Sequence, residues 1–284
     1  MKHSFTRPFL RNLVDSYYAF FWPIYGGRPI VTAKARRKFA TPAVDRKMED
    51  MDHRPPFLVC RGSSKRYYAP LRKNPAMHRI FCDITDNKGI IEFASKYGML
   101  GFTRSFRVRK RGTDQSTLML TESMARWKYE LAEMKRLVYL WELVKSKRLS
   151  LLGAHLDRED DGIYVALGKR KELIADNSSA LARKWDREGE QPVEAALQYL
   201  TASINKKVTG SVFPTVLPSY QKQIYLLPGN LLAAMWLMFL WEVIGEVRPR
   251  RCPGCNEWFD PKRSTRITCG DRCRKRKSRQ NTNS

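Results

Sequence analysis

Four cysteines near the C-terminus have the spacing of a single metal site: Cys252-Pro253-Gly254-Cys255, thirteen residues, then Cys269-Gly270-Asp271-Arg272-Cys273. Zinc takes four thiolate sulfurs in a tetrahedron. In the first pair the two intervening residues make a tight turn that aims both sulfurs at one ion. Gly254 permits that backbone and the close approach of amides to sulfur. In the second pair, positions i and i+4 share one face of a helix, so Cys269 and Cys273 chelate from the start of a helix running through Arg274–Arg279. A hairpin and a helix that each give two ligands make a treble clef. Trp258 and Phe259 are the apolar residues available for its small core, too small a core to fold without metal. The expected cofactor is one structural Zn2+, held by Cys252, Cys255, Cys269 and Cys273.

The same stretch is dense in positive charge. Between Arg248 and Arg279 twelve Lys and Arg stand against three acids, a net +9; a four-thiolate zinc site lowers this to about +7. Lys262, Arg263, Arg266, Arg272, Arg274, Lys275, Arg276, Lys277 and Arg279 are the expected nucleic-acid contacts. Arg263 and Arg266 have the reach and planar fork for guanine edges. Ser264, Thr265 and Thr268 offer hydroxyls suited to phosphate oxygens. The plain alternative is a solvated basic tail with no partner. The whole chain of 284 residues shares the bias, with 53 Lys+Arg against 28 Asp+Glu and a formal charge of +25. Such a surplus favours DNA, RNA or an acidic membrane surface.

The elements that must carry this module are mainly helical. Asp86 is a good N-cap for Asn87–Tyr97, and Gly98 a stop. Met124, Trp127, Leu131, Met134, Val138 and Trp141 form a seam along Glu122–Lys147, capped by Thr121. That seam can serve a bundle core or a homodimer. Helices are also expected near Lys171–Glu188 and over Pro192–Lys207, where Pro192 suits a first helical position. Asn230 caps an apolar helix over Leu231–Ile244 that leads straight into the cysteines. Short strands are expected at Ile163–Leu167 and in two hairpins. One pairs Phe57–Cys60 with Arg66–Ala69, the other Val212–Leu217 with Gln223–Leu227. Leu10, Leu13, Val14, Tyr17 and Phe21 suggest an N-terminal amphipathic helix, followed by a basic linker. The expected fold class is therefore mainly α with short β-hairpins (α+β). The layout is a basic extension over 1–54, a helical body over 55–246 and the finger over 247–284.

Cys60 and Cys82 stand alone in apolar settings and read as buried free thiols. Cysteine usage of this kind fits a reducing compartment, hence a cytoplasmic protein, at the nucleoid if it binds DNA. No cleavage site follows the aromatic run Tyr17–Tyr25, so no signal peptide is expected. The apolar run Leu231–Trp241 falls short of the about 20 residues of a membrane span and reads as a core helix. The acidic turn Asp157–Gly162 lacks the ligand spacing of a calcium loop.

Cys252–Cys255, Trp258-Phe259, and Cys269-Gly270-Asp271-Arg272-Cys273-Arg274 with its basic helix resemble the bacterial CGNR and FCS-type treble-clef fingers. In the CGNR family the finger follows a helical domain called ABATE, and its members are regarded as transcription regulators. Glu92-Phe93-Ala94-Ser95-Lys96-Tyr97-Gly98-Met99-Leu100-Gly101 resembles a phrase in proteins of that layout, as does the apolar helix before the finger. Asp271 stands where the CGNR tetrad has Asn. The resemblance implies a DNA-binding transcription regulator.

Treble-clef folds also hold nuclease sites, which need His or carboxylates around a catalytic metal. The finger has no His; His3, His53, His78 and His155 all lie upstream. Neither a nucleotide-binding glycine loop nor a nucleophile elbow is present, so no enzyme is expected. A protein-binding adaptor that uses zinc only to fold, and RNA in place of DNA, are the remaining alternatives.

Overall fold

Asn230 opens the helix around which the larger part of the fold is packed. A computed structural model of the chain describes residues 22–25, 29–32, 56–61, 65–102, 104–109, 116–188, 191–216, 224–261 and 265–282. The fold is mainly helical with antiparallel strand pairs, as the sequence predicts. The expected N-terminal helix up to Phe21 and the basic linker lie outside the described residues.

The chain divides into two compact units: residues 1–131 with 210–284, and residues 132–209. The strands of the first unit are β1 (Trp22–Tyr25), β2 (Ile30–Thr32), β3 (Phe57–Arg61), β4 (Lys65–Tyr68), β5 (Arg104–Arg109), β6 (Ser116–Ser123), β10 (Val212–Val216), β11 (Ile224–Pro228), β12 (Arg250–Arg251) and β13 (Trp258–Phe259). Its helices are α1 (Pro70–Lys73), α2 (Met77–Cys82), α3 (Asn87–Tyr97), the start of α4 (Met124–Lys145), α8 (Leu231–Val243) and α9 (Asp271–Thr282).

Asn230 Oδ1 accepts from the Ala233 amide at 2.8 Å, which satisfies one orphan donor of the first turn of α8. From Leu231 to Phe239 every residue of α8 is buried, so this helix is apolar all round because it is enclosed all round. It packs on α1, α2 and β11. No helix among the described residues is long and apolar enough to cross a membrane. Phe81 of α2, Phe93 of α3 and Trp127 of α4 form an aromatic cluster with centroids 5.2 to 6.2 Å apart. In α3 Asp86 Oδ1 accepts from Gly89 N at 2.7 Å.

After α3 the chain turns sharply through Gly98 (φ 97°) and Gly101 (φ 114°), a region open mainly to glycine. A Cβ at Gly101 would lie 2.2 Å from Asn230 Cβ, so glycine is required there for closeness as well as for angle. This turn fastens several elements. Leu100 N and Gly101 N donate to the buried Glu122 carboxylate, which also accepts from Trp127 Nε1 at 2.8 Å. Leu232 N of α8 donates to Leu100 O, and Trp22 Nε1 of β1 to Met99 O.

Three expectations fail here. Phe57–Arg61 and Lys65–Tyr68 are strands but do not pair with each other. β3 lies between β2 and β6 in the sheet β2-β3-β6-β5, while β4 pairs with β1. Short-range turn signals favoured a hairpin, yet long-range partners complete both strands. Second, Glu122 and Ser123 end β6 and do not belong to a helix, so α4 begins at Met124. Third, Thr121 sits inside β6 and cannot cap α4; Ser123 Oγ accepts from Ala125 N at 3.2 Å there. The hairpin β10–β11 forms as expected.

The second unit holds the rest of α4 and α5 (Leu149–Gly153), the antiparallel sheet β7 (Leu156–Glu159), β8 (Gly162–Leu167), β9 (Arg170–Asp176), then α6 (Ala180–Glu188) and α7 (Pro192–Val208). The expected helix near Lys171 is a strand up to Asp176, and only Ala180–Glu188 is helical. Asp176 accepts from both N and Oγ of Ser178, a turn that stops the strand before the helix begins. Helix α7 covers β8 and β9 with Ala195, Ala196, Leu200 and Ile204, all buried, as are Ile163, Val165 and Leu167. Arg136 joins Glu133 at 3.1 Å and Glu172 at 2.9 Å, and Tyr199 Oη donates to Glu172. The seam residues Met124, Trp127, Leu131, Met134 and Val138 of α4 are buried within the chain.

Candidate metal centre and its basic helix

β12 and β13 pair antiparallel, Arg250 with Phe259 and Arg251 with Trp258, and the first cysteine pair lies in the connection between them. Cys252 N donates to Glu257 O at 2.9 Å and Asn256 N to Cys252 O at 2.7 Å, closing a tight knuckle. The positive φ that this knuckle needs falls on Asn256 (φ 58°), a residue that tolerates it. Gly254 serves another purpose. A Cβ there would lie 2.9 Å from Cys273 Cβ and 3.0 Å from the Cys273 carbonyl oxygen, so glycine lets the knuckle touch the helix.

The second pair lies where the chain enters α9. Arg274 N donates to Gly270 O. Asp271, in the first turn, carries the sign that the helix N-terminus favours, and accepts from Arg274 Nη2 at 2.8 Å. The four sulfurs converge: all lie within 4.8 Å of one another, with Cys255–Cys269 and Cys269–Cys273 each at 3.5 Å. Four sulfurs about 2.3 Å from a tetrahedral ion stand about 3.8 Å apart, so the cluster is the right size to hold one metal ion.

The surrounding amides favour thiolate. Cys269 N donates to Cys252 Sγ at 3.3 Å. Burial opposes ionisation of Cys252, but amides of Cys269, Gly254 and Cys255 outweigh it and hold the thiol at about 6. Burial and the neighbouring sulfurs push Cys269 up. With one thiolate formed first, its charge keeps a neighbour protonated; a cation removes that conflict by replacing the protons. Of the two lone cysteines, Cys60 is buried, its thiol raised to about 12 by burial and then by Glu122, and Cys82 is half-buried.

Trp258 is not core for the finger alone, as the sequence suggests, but faces the body. The guanidinium groups of Arg251 and of Arg79 in α2 lie 4.6 Å and 5.3 Å from the centre of its ring. Its Nε1 donates to Asp83 Oδ2 at 2.9 Å, and Arg251 Nη2 reaches Asp83 Oδ1 at 2.6 Å. Arg79 continues inward to Glu242 of α8, donating through Nε at 2.9 Å and also through Nη2. His78 Nε2 meets Glu242 Oε2 at 2.8 Å, and all three side chains are buried. Burial raises the Glu242 carboxyl, but its bonds to His78 and Arg79 prevail and hold it at about 2. Burial is the largest influence on His78 and lowers its pKa against the pull of Glu242. The finger is thus seated on α2 and α8 through a polar relay. Sequence reasoning missed Arg79, Asp83 and Glu242 because their partners lie more than 160 positions away. The single available signal was that His78, Arg79 and Glu242 occupy otherwise apolar helices.

Arg272, Arg274, Lys275 and Arg276 are exposed on α9. Arg276 Nη1 turns back to Gly254 O at 3.3 Å. Arg272 and Lys275 stand one turn apart on α9, and Arg279 belongs to the same helix. Lys277 lies on the same helix. Arg266 is exposed, but its Nε donates to Thr268 O at 3.0 Å and its Nη2 to Cys269 O. Its fork is engaged in closing the second knuckle. Lys262, Arg263 and Ser264 lie outside the described residues.

No protein-family model matches the chain, and neither curated proteins nor solved structures yield a match.

Proposed function

We propose that the chain is a DNA-binding protein, a transcription regulator, whose four-cysteine site holds one structural zinc ion and whose α9 lies against the phosphate backbone. The observation that carries this reading is the junction of the four converging sulfurs with a helix that exposes Arg272, Arg274, Lys275 and Arg276. Four soft thiolates in a tetrahedral cluster are the donor set of structural zinc. They fill all four positions of such an ion, leaving no site for substrate, which favours a binding role over catalysis. The ion would lock the knuckle to α9 and so fix the direction in which the basic side chains point. The resemblance to CGNR-type fingers behind an ABATE-like helical body supports the same reading, and with it a cytoplasmic location at the nucleoid.

Two measurements test it. Metal analysis of purified protein should give one zinc per chain, absent from Cys252→Ser/Cys269→Ser. Titration against duplex DNA should give a log–log salt slope of roughly −4 to −5 if about five phosphates are neutralised. Affinity independent of salt, or full binding by R272Q/R274Q/K275Q/R276Q, would overturn the reading. Metal-dependent cleavage of the DNA would point to a nuclease.

A further inference from the structure

The positive charge outside the finger is not spread evenly. Residues 132–209 carry 14 Lys+Arg against 12 Asp+Glu, near balance. Residues 55–131 carry 15 against 6, and four of the 15 lie on the strands of one sheet. Arg104, Arg107 and Arg109 fall within the six residues of β5, and Arg61 ends β3.

The sheet itself changes character along β6. At one end β6 pairs with both β3 and β5, and Phe57, Leu58, Val59, Cys60 and Leu120 are buried there. Pairing of β3 with β6 stops at Arg61–Met119. Beyond it, Leu118, Thr117 and Ser116 pair with Arg107, Val108 and Arg109 of β5 alone, among the described residues. Burial follows the same gradient: Arg61 and Thr117 are exposed, and Leu118 and Met119 only half-buried. Among the described residues the two strands run on from there as a two-stranded ribbon. Three residue steps at about 3.4 Å give that part a length of about 10 Å beyond the last β3–β6 pair. Its register places Arg107 and Arg109 in that two-stranded part.

We propose that the β5–β6 ribbon is a second DNA-binding element that enters a groove of duplex DNA. The major groove of B-DNA admits a two-stranded ribbon and is about 8.5 Å deep, close to the length of the two-stranded part. The A-form groove of duplex RNA is too narrow for it. Arginine is suited to phosphate and to guanine edges alike. Charge on an edge strand also deters strand-to-strand aggregation; that role alone requires no effect on DNA binding. The inference rests on the DNA-binding reading above, through a different surface of the same unit.

The test uses the full-length, zinc-loaded protein and a duplex DNA titrated at several salt concentrations. R107Q/R109Q removes two ribbon charges and should make the salt slope shallower by about 1.8, with roughly tenfold weaker binding at 0.15 M salt. T117E places a negative charge on the exposed ribbon position paired with Val108 and should also weaken binding, whether or not the arginine variant folds. Zinc content should stay at the wild-type value in both. Wild-type affinity and slope in folded R107Q/R109Q or in T117E would overturn the ribbon assignment while leaving the finger reading intact. Duplex RNA competing as well as duplex DNA would overturn the groove assignment. If the wild-type protein shows no salt-dependent DNA binding, both proposals fall.

Discussion

Gly254 shows how one side chain's absence builds the centre. Any Cβ at that position collides with Cys273 Cβ and its carbonyl, which are backbone-fixed features of α9. Gly254→Ala should therefore push the knuckle off the helix and weaken metal binding by an order of magnitude or more, as an overpacking strain of about 1–3 kcal/mol requires. Competition with a chromophoric chelator measures this directly. Glu242 is the opposite case, a side chain whose presence is required. Glu242→Ala leaves Arg79 buried without its carboxylate, a loss of about 3–5 kcal/mol, read by chemical denaturation. Asp83→Ala removes the shared acceptor of Trp258 and Arg251, but that pair is partly exposed, so the cost should be about 1 kcal/mol or less.

Elements were legible in proportion to how local their determinants are. Helix α3 is marked by Asp86 and Gly98, and α8 by Asn230, and each cap does in the structure what its chemistry promises. Asn230→Ala should cost about 1 kcal/mol in thermal or denaturant unfolding. Strands obeyed partners far along the chain. β3 reads as half of a hairpin with β4, yet both of its hydrogen-bonding edges are taken up by β2 and β6, which lie far away in the sequence. The segment near Lys171 has residues that suit either a strand or a helix, and pairing with β8 decides it. The cysteine cluster was fully legible, because chelation demands short spacings within each pair. The seat of the finger was not, because Trp258, Asp83, Arg79 and Glu242 carry no shared spacing. Arg266 shows a further gap: type and position suit a base contact, but only the fold shows its fork bonded to Thr268 and Cys269.

At the level of the whole molecule, acid should act on the buried relay. His78 and Glu242 both have folded-state pKa values below their unfolded ones, by the burial of His78 and by the bonds of Glu242 to His78 and Arg79. In both cases the unfolded chain binds more protons, so stability is present above the unfolded pKa and is lost as pH falls. The loss begins near the ordinary His value of about 6.5 and continues below the ordinary Glu value toward about 2. Asp260, held up by burial and by Glu242, opposes part of this. Melting temperature recorded from pH 7.5 to 4 should fall steadily, and H78F should flatten the upper part of the curve. Removal of metal should release the finger, and with it the seating of Trp258. Indole emission that changes on chelation in the parent but not in Trp258→Phe would identify that ring as the reporter.

The inserted position of residues 132–209 has a consequence for synthesis. The first unit is made from both ends of the chain, and α8, which fills its centre, is encoded after the second unit is complete. On the ribosome the second unit can close while the first 131 residues still lack the helix that covers α1 and α2. Those residues must wait, with α1 and α2 uncovered, until α8 emerges. The finger follows within a few residues, bringing Arg251 and Trp258 to Asp83. The helix that closes the first unit is thus translated after the second unit, and a nascent chain halted before Leu231 would present chaperones with an open apolar face.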